Sequence, residues 1–120
     1  MRPRLYPTAV TEYPVSFFRL FRAIMDTVEA KTELLLELEC RNLKGYALPA
    51  YAPDRHGFIM RGLDANVYQG EHYSSFSRVA GDFDPDKEAY SLFKVFYGAF
   101  ALPEKAIPYY DREEARFVFE

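Results

Sequence analysis

The stretch from Pro85 to Ala101 constrains the fold more than any other part of this chain. Its helical signals agree with one another: Asp84 is a good N-cap, Pro85 suits the first helical position, Asp86 and Glu88 set negative charge against the helix dipole, and Pro103 stops the run. Inside it, Ala89, Tyr90, Leu92, Phe93, Val95, Phe96, Tyr97, Ala99 and Phe100 leave only Lys87, Ser91, Lys94 and Gly98 as a narrow polar stripe. A helix packed on one sheet needs one apolar face, and this one offers nearly three. The excess must be covered by a first helix, by the N-terminal segment or by another molecule. We therefore expect a partner-binding face at Phe93, Phe96, Tyr97 and Phe100, oriented by Arg19 and Arg22 or by the acidic run Asp26, Glu29, Glu33, Glu37 and Glu39.

A chain of 120 residues is long enough for one well-packed domain and short for two. It holds ten Tyr and eleven Phe but no Trp, so these rings must fill its core and edges. With 49% hydrophobic and 28% charged residues it falls outside the disordered class. The longest charge-free stretches, 45–53 and 95–103, are nine residues each and contain proline, against the roughly 20 residues of a spanning helix. No membrane partner is expected, and prolines interrupt the N-terminus where a signal peptide needs a continuous apolar run. The single cysteine, Cys40, excludes an internal disulfide and fits a reducing, cytoplasmic setting. A net charge of −3 argues against a general nucleic-acid binder, which needs a surplus of Lys and Arg on one face. Arg2, Arg4, Arg19 and Arg22 are the one candidate basic patch.

Residues 1–14 hold three prolines and no sustained period, which reads as an extended arm ahead of a single α+β domain over 15–120. The spacing of Phe17, Phe18, Leu20, Phe21, Ile24, Met25 and Val28 predicts a first helix from about Val15. Alternation over Leu34 to Cys40 predicts a strand, although a heptad-like seam would let the helix continue to about Asn42. Asn42 to Gly45 reads as a hairpin turn into a strand over Tyr46 to Tyr51, with Pro53 to Gly57 as a second turn. Further strands are expected at Phe58 to Leu63, Tyr73 to Ala80 and Ala115 to Phe119. The order is α-β-β-β-β-α-β, an α+β fold with two helices and a mainly antiparallel sheet of about four to five strands.

Asp82, Asp84, Asp86 and Glu88 alternate like the early ligands of a calcium loop, but Lys87 stands where the loop needs glycine and Phe93 where it needs glutamate. Helix capping accounts for these carboxylates. His56 and His72 have no metal-ligand spacing and no glycine run cradles a phosphate, so no metal or cofactor is expected. Glu33, Glu37 and Glu39 share one strand face, where solvent exposure explains them better than acid–base chemistry. The neighbours of Cys40 point to an inert, buried thiol. An alternative function is a small-molecule binder or enzyme with a pocket lined by Tyr46, Tyr51 and Tyr73, and with His56 or His72 as its titrating group. The leading expectation is a small acidic interaction protein, an adaptor, chaperone, inhibitor or immunity-type module. It would catalyse no reaction of its own and would bury its aromatic helix face against a second copy or a protein partner.

Overall fold

The helix with apolar residues on nearly every side sits at the centre of the molecule. In this computed structural model, which describes residues 5–28, 33–48, 50–54, 57–61, 68 and 70–119 (7–8, 50–54 and 57–61 by backbone), the elements follow in chain order. They are α1 (Pro7–Thr27), β1 (Leu34–Arg41), β2 (Ala50–Asp54), β3 (Gly57–Arg61), β4 (His72–Val79), α2 (Pro85–Ala99), a 3-10 turn (Glu104–Ala106), β5 (Tyr110–Asp111) and β6 (Arg116–Phe117). The fold is α+β.

Asp84 caps α2 as its side chain dictates, accepting from the N–H groups of Asp86 (3.1 Å) and Lys87 (3.2 Å). Replacing Asp84 with alanine leaves those two donors to water and is expected to lower stability by about 1 kcal/mol, read from the urea midpoint. α2 lies between α1 and β4, with β6 and the 3-10 turn on its remaining sides. Rings from these neighbours meet it at each flank: Tyr73 of β4 is edge-on to Phe96 at 4.9 Å, Phe117 of β6 is edge-on to Phe93 at 5.7 Å, and Tyr68 tilts against Phe100 at 5.5 Å. Lys87, Lys94 and Gly98 face outward, as does Val95.

This arrangement corrects the expectation of a partner-binding face at Phe93, Phe96, Tyr97 and Phe100. All four side chains are buried within the chain's own core. A single sheet would cover only one side of α2. Four elements surround it instead, and a helix that is apolar all round is a buried one.

α1 starts at Pro7, so residues 7–14 belong to the helix and not to an extended arm. Tyr6 is extended (φ −95°, ψ 108°) and Pro7 supplies the backbone angle that a first helical residue needs. Pro14 lies inside the helix, where a lost hydrogen bond and ring crowding cost about 3 kcal/mol. Burial of Val15 and Phe18 offsets that cost, and Leu5 ties the entry down by donating to the Ala47 carbonyl at 2.8 Å.

The strands pair antiparallel, but among the described residues they form three separate two-stranded ladders rather than one sheet of four to five strands. β1 pairs with β4, Leu34 opposite Val79 and Arg41 opposite His72. β2 pairs with β3, Ala50 opposite Arg61, and β5 pairs with β6. Asn42 to Gly45 does turn, with Gly45 at φ +83° and the Tyr46 N–H donating to the Leu43 carbonyl at 2.8 Å. It makes no hairpin, because the chain beyond it runs beside residues 68–71: Leu43 donates to the Glu71 carbonyl at 3.0 Å and Tyr68 to the Tyr46 carbonyl at 3.2 Å. β1 takes β4 as partner because Tyr73 and Val79 of β4 are buried with Leu36 in the core shared with α2. The Cα trace is flat, 48 × 36 × 18 Å, which leaves room for few layers.

Candidate functional site

α1 carries two apolar arcs, one buried and one exposed. Thr11, Val15, Phe18 and Met25 are buried on the core side. Among the described residues ten large apolar side chains are exposed, and six of them belong to α1 or its caps: Tyr6, Tyr13, Phe17, Leu20, Ile24 and Val28. Steps of seven, four and three residues put those six on one arc of roughly 80°, whose centre lies about 135° around the helix from that of the buried side. Phe17 is 58% exposed and Leu20 60%, although both sit at mid-helix where packing is easiest to satisfy. Ala9, Ser16 and Ala23 form one shoulder of this stripe, and Phe21 the other, its ring stacked on Phe17 at 6.1 Å. No charged side chain enters the stripe. The charges of α1 lie outside it: Glu12, Arg19 and Asp26 follow one flank, and Arg22 points toward the core side, paired to Asp26 and donating to the Phe83 carbonyl at 2.9 Å.

Arg19 is a structural clamp. Its guanidinium grips Asp86 through two hydrogen bonds, Nε to Oδ1 at 2.9 Å and Nη2 to Oδ2 at 2.7 Å, and Nη2 also donates to the Phe117 carbonyl at 2.7 Å. The Phe117 N–H completes the knot by donating to Asp86 Oδ2 at 2.7 Å. Burial pushes the Asp86 carboxyl up, but the Arg19 hydrogen bonds, the Phe117 N–H and the charges of Arg19 and Arg116 outweigh it and hold the group below the usual carboxylate range. Arg19 thus ties α1 to α2 and to the segment at Phe117, and Arg22 ties it to Phe83 just ahead of α2. Neither is a free cation for steering a partner or for a basic patch, which corrects the orienting role expected of them.

The carboxylates around α2 go separate ways: Asp84 caps the helix, Asp86 turns inward to Arg19, and Glu88 accepts from Ser77 Oγ at 3.0 Å. On the outer face of β1 and β4, Glu37 and Glu39 sit side by side in solvent. A hydrogen bond to Glu39 raises the Glu37 pKa, while Arg41 and then Glu37 lower that of Glu39. His72 Nε2 is 3.4 Å from Glu39 on this same open face. Tyr73, next along β4, points the other way into the core and donates to Ser75 Oγ at 3.0 Å. His72 and Tyr73 therefore cannot line one pocket, which removes His72 as the titrating group beside Tyr73. Tyr46 is half-buried, and His56 and the Tyr51 side chain lie outside the described residues. An open depression of about 310 Å³ is lined by Glu33, Leu34, Leu35 and Arg78 and includes none of those five residues. Cys40 is half-buried and its thiol pKa is pushed up by burial and then by Glu39, as suits an inert thiol.

Among the described residues no three His, Cys, Asp or Glu side chains converge as a metal site, and no helix is long and apolar enough to cross a membrane. The α1 stripe is therefore the feature with most to offer a ligand. The sequence contained its signal, because the helical set Phe17, Phe18, Leu20, Phe21, Ile24, Met25 and Val28 includes four members of the stripe, but that set mixes them with the buried Phe18 and Met25. Comparison with known proteins gave no matching family model, no matching curated protein and no matching solved structure.

Proposed function

We propose that the protein is an interaction module of the adaptor, chaperone, inhibitor or immunity type, and that its contact surface is the outer side of α1. One observation supports this reading above the others. A helix that already buries one apolar side in the core carries a second, continuous apolar stripe over its whole length, left uncovered by the described residues. Exposed apolar patches of this extent mark contact surfaces. The partner face moves from the rings of α2 to Tyr6, Tyr13, Phe17, Leu20, Ile24 and Val28, while the interaction class stays the same.

A photo-crosslinking amino acid tests the surface directly. Placed at Phe17 in the native cells, it is expected to give one dominant adduct of defined mass, whether with the chain itself or with another protein. Placed at Lys94, on the outward side of α2, it is expected to give none. No adduct at residue 17, or the same adducts at both positions, would sink the reading.

A further inference from the structure

We infer that the outer side of α1 pairs with the same surface of a second copy of the chain, the two helices running antiparallel about a two-fold axis between Phe17 and Leu20. This pairing presupposes the interaction reading and names its occupant. The stripe is graded in size: the rings of Tyr6, Tyr13 and Phe17 fill its first half and the smaller Leu20, Ile24 and Val28 its second. Antiparallel pairing sets large against small, Phe17 against the partner's Leu20 and Tyr13 against the partner's Ile24. Parallel pairing would stack ring on ring at one end and leave the other end thin. Opposed helix dipoles favour the same orientation.

Charge and area agree with a self-complementary contact. Glu12, Arg19 and Asp26 follow a line outside the stripe, so no ionisable group is buried without a partner. The shoulder of Ala9, Ser16 and Ala23 admits helix axes at the usual spacing of about 8–10 Å. Six side chains at about 100 Å² each give roughly 600 Å² per copy and about 1,200 Å² for the pair, the lower bound of a specific stable interface. A lipid surface fits worse. Helices that lie on membranes rely on Lys and Arg along their polar flank, whereas the fully exposed charges of α1 are Glu12 and Asp26.

Sedimentation of the intact chain from about 1 to 200 µM is expected to show a reversible rise to twice the 14.0 kDa chain mass. Leu20→Glu puts like charges beside the axis and is expected to weaken the dimer at least ~100-fold, with the circular dichroism of the folded chain unchanged because Leu20 contributes nothing to the core. Lys94→Glu is expected to leave the dimer intact. In a Cys40→Ser background, a mixture of Tyr13→Cys and Ile24→Cys chains is expected to form mixed disulfides faster than either variant forms its own. A chain that stays at one copy across the range overturns the self-pairing, as does a dimer that survives Leu20→Glu or preferential Tyr13→Cys self-disulfides. If such a single-copy chain still gives one adduct from residue 17 with a different protein, the interaction reading stands and only its occupant changes.

Discussion

Phe96→Ala is expected to remove about 4 kcal/mol of folding stability, the largest effect of any single truncation considered for this chain. Phe96 has no exposed surface, sits edge-on to Tyr73 at 4.9 Å, and packs against Phe100 at 5.2 Å in the centre of the core. No neighbour can collapse into the gap without breaking a second ring contact, so transfer and cavity costs add. Against a total of about 5–15 kcal/mol for a domain of this size, the variant is near the edge of folding at all. Leu20→Ala, on the outer side of α1, is expected to change monomer stability by less than ~0.5 kcal/mol. Urea midpoints of the two variants, measured at a concentration where the chain is a single copy, compare them directly. A loss below about 1 kcal/mol for Phe96→Ala would contradict the placement of α2 at the centre of the core.

The second large effect is expected at Asp86→Ala. The substitution removes the acceptor for Arg19 and for the Phe117 N–H at once, leaving a half-buried guanidinium and a buried N–H without their carboxylate. Breaking a buried pair on one side costs about 3–5 kcal/mol, and because Arg19 can turn its 36% exposed side chain toward water, about 3 kcal/mol is expected. The pH dependence follows from the direction of the shift. The folded pKa of Asp86 is lowered, so its contribution is complete above the unfolded carboxylate value of about 3.9 and is lost as pH falls through the lower folded value. The stability difference between the parent chain and Asp86→Ala is thus expected to be flat from neutral pH down to about 5 and to shrink only in stronger acid. A difference that shrinks already between pH 7 and pH 5 would assign the stabilisation to another group.

How much of this was readable in the residues differs from element to element. The start of α2 was plain, because Asp84, Pro85 and the acidic first turn are local signals that agree. The excess of apolar surface on α2 was also plain, but the width of an apolar arc says only that cover is needed and not what supplies it. Cover came from within the chain at Tyr73, Tyr68 and Phe117, residues with no periodic link to α2 in sequence. α1 was harder for the opposite reason. Its two apolar sides summed to one broad pattern, and only the position of α2 separates Phe18 and Met25 from Phe17 and Ile24. Pro14 counts in sequence toward an extended arm, although tertiary packing carries the helix through it. The β1–β4 pairing was hidden by the preference for joining neighbouring strands, since more than thirty residues lie between Leu38 and its partner Ser75. The Arg19, Asp86 and Phe117 clamp left no signal in sequence at all, because its members are 67 and 98 positions from Arg19.

That separation governs how the chain can be made. Arg19 cannot close on Asp86 and the Phe117 carbonyl until almost a hundred further residues have left the ribosome, which at about 5–20 residues per second takes about 5–20 s. Throughout this interval α1 waits with both its greasy sides bare. Adjacent ribosomes on one message hold such helices close together, so the self-pairing proposed above would begin during translation, before either chain has sealed its own interior.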